Sequence, residues 1–522
     1  MSVRQAVVLG LAVALLALVY TPAAPAAQGT WDRAWGEDVD SVAAGVGFEV
    51  CTVAANCKTG EDTPLALGGE IDGAFGIATD AAGNVYVADG AHHRVQKFSP
   101  TGVFERAWGE DVVSSGPGNT GVGFEICVAA SGDVCKIGAT AGAALGGELA
   151  GPNDVAVDAA GNVYVSEGFQ RVQRYSSSGV FERAWGGDVV SSGPGNTGTG
   201  FEVCVAANGD VCKTGVASAG LGGEFTAPAG LDTDSAGNVY VIDVGMDRLS
   251  KFSSSGAFER AWGEDVVSAG PGNTGVGFEV CVAARADVCK FGVSAGAALG
   301  GEFLGPSGVA VDGAGNVYIG DTQHHRVQKF SSLGVFERAW GEDVVNGGGT
   351  GFEVCVAANA DICKIGVVSG AAVGGDFNFP QGPDTDAAGN VYVADTFHRR
   401  IQRFSPLGAF ERTWGEDVAS AGPGNTGTGF EICVAASGDV CKTGVSPAPA
   451  LGGEFASPGG LAISPAGDLY VVDTTHDRIE RFVDPPVIAP PGTPPATPPA
   501  KKKCKKGQKL RKGKCVKKKR KK

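Results

Sequence analysis

Polar and apolar residues alternate over short stretches along most of the chain, and the alternation restarts every 74–78 residues. The phrase G-N-V-Y-V, or a close variant, places its Asn at 84, 162, 238, 316 and 390, and a sixth copy, G-D-L-Y-V, has Asp468 there. A repeat of this length is read before any single element is assigned. In the fourth unit, GVAVD (308–312), NVYIGD (316–321), HRVQKF (325–330) and VFERAW (335–340) read as four short strands joined by polar, glycine-bearing turns. Runs with helical spacing are hard to find beyond the first 26 residues.

The ends of the array are complementary. TWDRAWG (30–36) matches the fourth strand of a unit but has no first three strands before it, whereas the last unit (459–484) stops after its third strand. A four-stranded unit cannot bury both its faces alone and must stack on neighbours. Complementary ends then close the stack into a ring. The expected fold is all-β: a six-bladed β-propeller of four-stranded blades, monomeric, with the N-terminal strand completing the last blade and long inserts between blades.

The stretches 80–98 and 312–330, D-x-x-G-N-V-Y-[VI]-x-D-x-x-x-H-R-V-Q-K-F, resemble the NHL repeat of six-bladed propellers, and all six units follow the pattern between about 30 and 484. The resemblance implies the fold. It leaves function open, because relatives of that family include RNA-binding domains, scaffold surfaces and a zinc-dependent amidating lyase. The cysteine-bearing inserts look like those of exported NHL-repeat proteins from high-GC Gram-positive bacteria.

The first residues add an address. Arg4 is followed by an apolar run (6–19) and by TPAAPAA, with Ala24 and Ala26 in the small-x-small pattern of a cleavage site. We read residues 1–26 as a secretory signal peptide; the alternative, an uncleaved anchor, needs a longer apolar run, about 20 residues. The mature chain is therefore expected to be secreted, where disulfides persist.

Its 14 cysteines fall into close pairs: Cys51 with Cys57, Cys127 with Cys135, Cys204 with Cys212, Cys281 with Cys289, Cys355 with Cys363, Cys433 with Cys441, and Cys504 with Cys515. Zinc modules pair C-x₂₋₄-C with a second such pair, and redox sites use C-x-x-C; neither form is present. Disulfide staples are expected, with Cys204 and Cys212 facing each other across a hairpin turned at Ala207-Asn208-Gly209. The first pair is only six residues apart and must turn differently.

Charge is unevenly shared. Residues 501–522, from Lys501 to Lys522, carry 15 Lys or Arg and no acid, against 27 basic and 57 acidic residues in the rest of the chain. A proline-rich spacer (485–500) precedes this tail. Such a run binds polyanions. For an exported chain the expected partner is anionic cell-wall polymer, a phospholipid surface or extracellular nucleic acid, with association to the acidic propeller as the simpler reading.

Candidate chemistry is sparse. All six histidines fall between strands two and three of their units. His92, His324, His398 and His476 are candidate metal ligands if those loops converge on the axis; otherwise they are turn residues, as His beside Arg is part of the repeat's signature. The middle of strand one is Ala in four units but Asp232 and Asp384 in the third and fifth, and Asp154 replaces a Gly in the second. Carboxylates there would line the channel as a cation site or an acid/base pair, or lie buried on backbone donors. The Glu-Asp pairs that open the inserts, such as Glu110 and Asp111, would form an acidic crown suited to weak Ca²⁺ binding or to simple solvation. The glycine-rich GPGNTG stretches read as flexible linkers. Two functions remain: a non-enzymatic, cell-surface binding or scaffold protein for a protein or glycan, and a metal-dependent lyase or hydrolase with its site in the channel.

Overall fold

The computed structural model describes residues 29–483, apart from seven short stretches (43–46, 61–66, 140–144, 217–219, 294–298, 369–372 and 446–450), together with the backbone of two strands in the tail. Residues 29–483 form one compact unit. In the tail, Gln508–Arg511 pairs antiparallel with Lys514–Lys517, which sets the backbone of Cys515 opposite Leu510. The expected signal peptide, the proline-rich spacer and the expected bridge from Cys504 to Cys515 lie outside the described residues. Among the described residues no helix is long and apolar enough to cross a membrane.

Six antiparallel sheets form the ring. Blade 4 is representative: Gly308–Val311, Val317–Asp321, Arg326–Phe330, Phe336–Glu342 and Phe352–Val356 run from the axis outward. The four expected strands of each blade are thus joined by a fifth, drawn from the insert. It pairs with strand four (Ala339↔Cys355 in this blade) and covers an edge that would otherwise stand open. Blade 6 has the order 48–51, 30–37, 478–483, 469–473, 458–463, so the N-terminal strand closes the ring. Its register sets Trp35 opposite Ile479 and Gly36 opposite Arg478.

Strand two is buried at every position because both faces of the sheet are covered, one by each neighbouring blade. The core lies between blades. Trp108 of blade 1 packs against Tyr86 of its own sheet and against Val155, Val165 and Tyr175 of blade 2, with the Trp108 and Tyr175 rings 5.9 Å apart. Gly179 reaches φ +86° in the turn that meets this indole, where a Cβ would come 3.0 Å from Trp108 Cε3. The D-x-x-G-N turn is built on its Asp. Asp312 Oδ1 accepts the N–H of Ala314 and of Asn316, and Oδ2 accepts Asn316 Nδ2 and the Tyr318 hydroxyl.

Six of the expected cysteine pairs are disulfides: Cys51 with Cys57, Cys127 with Cys135, Cys204 with Cys212, Cys281 with Cys289, Cys355 with Cys363, and Cys433 with Cys441. Their Cα atoms are 5.6–5.7 Å apart. The partners do not face each other across one ladder, as the sequence suggested. Cys204 lies on the outer strand opposite Ala184, so its ladder site is already taken. The chain then leaves through a 3₁₀ turn, Ala206–Asn208, and Gly209 at φ 82°. Cys212 sits in a separate two-stranded ribbon opposite Val190. The same correction holds for Cys135, Cys289 and Cys441, which pair in ribbons with Val113, Val267 and Ala419. Cys57 and Cys363 make single bridges, to Asp40 and Val345. Each disulfide, with one or two valines or their equivalents, makes a small core of its own, such as Val189, Val190, Cys204 and Cys212.

Candidate functional site

Each histidine candidate sits in its own blade. His92, His324, His398 and His476 are buried, and each Nδ1 lies 2.6–3.0 Å from the Asp that ends strand two: Asp89, Asp321, Asp395 and Asp473. The residue that follows takes a left-handed conformation; His93 and His325 do so at φ 51° and accept backbone N–H groups of the next blade from Gly151 and Phe379. Among the described residues no group of three His, Cys, Asp or Glu side chains is placed to hold a metal ion.

The same Asp anchors the most buried cation of the blade. Arg326 has no exposed surface. Its Nε donates to Asp321 at 2.8 Å, Nη1 to the Lys364 carbonyl at 2.9 Å, and Nη2 to the carbonyls of Leu299 and Glu302 at 2.9 and 2.8 Å. Gln328 adds bonds to Glu302 and Asp321. The carbonyls belong to the inserts on either side of the blade, so the H-R-V-Q signature is a clamp that ties inserts to the ring. Burial works against the charge on Asp321, but Arg326 and His324 hold its carboxyl below the ordinary range.

Inside the inserts, acids organise backbone. Glu202 accepts Val190 N on one oxygen and Thr197 N, Thr197 Oγ1 and Gly198 N on the other; Asp210 accepts Gly195 N and Val205 N. The GPGNTG stretches are therefore tight, hydrogen-bonded loops rather than flexible linkers; their acceptors lie several residues downstream. The aspartates of the expected acidic crown each carry a lysine: Asp38–Lys58, Asp111–Lys136, Asp188–Lys213, Asp265–Lys290, Asp343–Lys364 and Asp417–Lys442, at 2.6–2.9 Å.

The glutamates of that crown point a different way. Glu37, Glu110, Glu264 and Glu342 are buried, as are Glu70, Glu148, Glu302 and Asp376 of the returning L-G-G-E segments. Blade 2 shows the geometry by omission: it has Gly187 in place of the first glutamate, and a Cβ there would lie 3.5 Å from Glu224 Cγ. In blade 5, burial and the neighbouring charges of Glu454 and Asp417 push Glu416 up to about 7 from an ordinary 4.5. Asp376, buried beside Glu342, is raised to about 6. A carboxyl raised on folding binds a proton that the unfolded chain has already lost. Its contribution to stability is present below the unfolded value and is lost as pH rises through about 7. We expect urea midpoints to fall between pH 5 and pH 8, and Glu416→Gln to reduce that fall. An unchanged fall in the variant would contradict the assignment.

The inner strands bring the three aspartate candidates to one place, a cavity of about 470 Å³ on the ring axis lined by all six blades. Asp154 accepts Val155 N and, from blade 3, Leu231 N, both at 2.8 Å. Asp232 accepts Thr233 N and Val311 N, and Asp384 accepts Thr385 N and Ile463 N. Each carboxyl thereby links its own inner strand to the next. Burial pushes Asp154 and Asp384 up to about 7, and burial together with Asp384 raises Asp232 well above its ordinary value. Phe75, at the same cavity, has no counterpart among the other units and escaped the reading of the sequence.

Sheet order, blade stacking and the closing strand define a six-bladed β-propeller. The family model of the NHL repeat matches residues 76–98 and 303–330, in blades 1 and 4. No curated protein matches the chain in sequence. Among solved structures, the chain is similar to a streptogramin B lyase at 10% identity, with 81% of this chain and 96% of that one covered and a TM-score of 0.38. It is also similar to a gluconolactonase from Xanthomonas campestris (12% identity, 89% and 99% covered, TM-score 0.35). A third is an auxiliary nutrient binding protein from Bacteroides ovatus (10% identity, 87% and 77% covered, TM-score 0.40).

Proposed function

We propose that the protein is an exported, non-enzymatic binding and scaffold propeller, acting as a monomer and retained at the cell surface by its basic tail. The observation that carries this reading is the shared build of its six inserts. Each insert is stapled by a disulfide, and each blade's buried arginine reaches insert carbonyls, as Arg94, Arg171, Arg248, Arg326, Arg400 and Arg478 do. Rigid, repeated loops around a ring suit the display of a recognition surface for a protein or glycan, and six disulfides suit an oxidising compartment.

The tail supplies retention. Fifteen cations in residues 501–522 give a multivalent attraction to anionic wall polymer that added salt screens. The test is the partition of the full chain, and of one ending at Ala500, between purified cell walls and buffer. The full chain should bind and be released as salt rises towards about 0.5 M, where screening reaches a few ångströms. The shortened chain should stay in solution. Equal wall binding by both would overturn the tail's role. Anionic vesicles run in parallel distinguish a phospholipid surface from wall polymer.

A further inference from the structure

The six blades are most alike in their second to fourth strands and least alike where they meet the axis. F-E-R-A-W-G opens the fourth strand of blades 1 to 4 without change. At the mouth of the axial cavity, however, the equivalent residues are Phe75, Asn153, Ala229, Ser307, Gln381 and Gly459, no two of them the same. Divergence at this ring, in an otherwise repetitive chain, marks a single asymmetric site at the axis rather than six equal ones.

The chemistry of the lining specifies what it takes. Three carboxyls, Asp154, Asp232 and Asp384, face a cavity whose lining holds no Lys, Arg or His. The acids that end strand two in blades 1, 4 and 5 have cations of their own, Asp89–Arg94, Asp321–Arg326 and Asp395–Arg400 at 2.8 Å. In the channel the partners among the described residues are backbone N–H groups, one on each carboxyl oxygen, which leaves each oxygen a further lone pair. The rest of the wall is mixed: Thr79, Asn153, Ser307 and Gln381 are polar, whereas Ile77, Val155, Leu231 and Leu461 give it apolar patches. Phe75 is 52% exposed, so its ring is open to a ligand. A volume of 470 Å³ falls in the range of about 300–1,000 Å³ common to small-molecule sites.

We propose that the axial cavity binds a small organic cation, an ammonium compound whose charge lies among Asp154, Asp232 and Asp384 and whose hydrocarbon part lies against the apolar patches and Phe75. The missing counter-charge calls for a cation. A bare metal ion suits the site less well, because each carboxyl is pinned to a different strand and no three side chains converge to ligand distance among the described residues. An ammonium ion donates single hydrogen bonds to separate acceptors, and its carbon skeleton uses the apolar patches. Aromatic faces such as that of Phe75 add cation–π attraction. This inference does not depend on the basic tail or on the wall-binding test.

Calorimetry on the full chain at about pH 8 tests it, with 1,4-diaminobutane and tetramethylammonium as probes, and 1,4-butanediol and calcium chloride as controls. We expect one saturable ammonium site per chain and no uptake of the diol. Asp384→Asn should weaken binding by about 10-fold or more, the worth of one charge-assisted hydrogen bond. Because that carboxyl also holds Ile463 N, a melting curve accompanies the variant. Phe75→Ala changes an exposed ring and keeps the fold; it should weaken tetramethylammonium by about 2- to 5-fold. Equal binding of diol and diamine, ammonium binding indifferent to both variants, absence of ammonium binding, or binding of calcium alone would each overturn the proposal.

Discussion

Replacing Arg326 with Ala should destabilise the propeller by about 3–5 kcal/mol, the usual consequence of removing one partner of a buried ion pair. Truncation removes the buried cation beside the Asp321 carboxylate, which has no exposed surface, and takes a donor from the carbonyls of Lys364, Leu299 and Glu302. The insert carbonyls lose their anchor as well, so protease sites near Lys364 should open before the ring melts. Arg338→Ala is the matched control. Among the described residues its guanidinium donates to the Leu407 carbonyl at a partly exposed site, and its loss should cost less than about 1 kcal/mol. Urea denaturation of the three proteins checks both statements; equal losses in the two variants would refute the clamp.

Deleting residues 29–37 should abolish the folded ring. The strand they form is the only partner of Arg478–Val483 on that side, and its loss leaves a long, flat sheet edge. It also removes Trp35, which packs against Phe98 and Tyr470 between blades 6 and 1. Loss of one such buried Trp alone costs about 3–5 kcal/mol, and here the ring seam goes with it. Size-exclusion chromatography with light scattering should show aggregate in place of the intact chain's peak. An unchanged elution peak and melting temperature would show that the ring does not depend on its closing strand.

Much of this architecture was readable because it repeats. The match between TWDRAWG and the fourth strands announced ring closure before any pairing was known, and the cysteine spacing announced the bridges. Asp154, Asp232 and Asp384 stood out because identical neighbours made every departure visible. What stayed hidden depends on partners distant in sequence. F-E-V-C-V reads as half of a hairpin until strand four claims it as an outer strand, and GPGNTG looks loose until Glu202 and Asp210 supply acceptors. Glu110 and Glu148 meet only through the fold of the insert, although the recurrent L-G-G-E was a signal that could have prompted the question. Phe75 was overlooked because a single Phe in an apolar strand start carries no pattern.

The central claim is that the inserts are ordered surfaces held by their bridges and clamps, and hydrogen exchange tests it most directly. In the native protein the amides of Thr197, Gly198 and Gly195 should exchange slowly, since each is held by a buried or part-buried carboxylate. Alkylation without reductant should find no free thiol among the six bridged pairs. After reduction of Cys204–Cys212, which closes a short loop worth roughly 2–3 kcal/mol, those amides should exchange much faster while Val239 and Val241 of the adjacent blade stay protected. Fast exchange of the insert amides with the bridges intact would contradict the account.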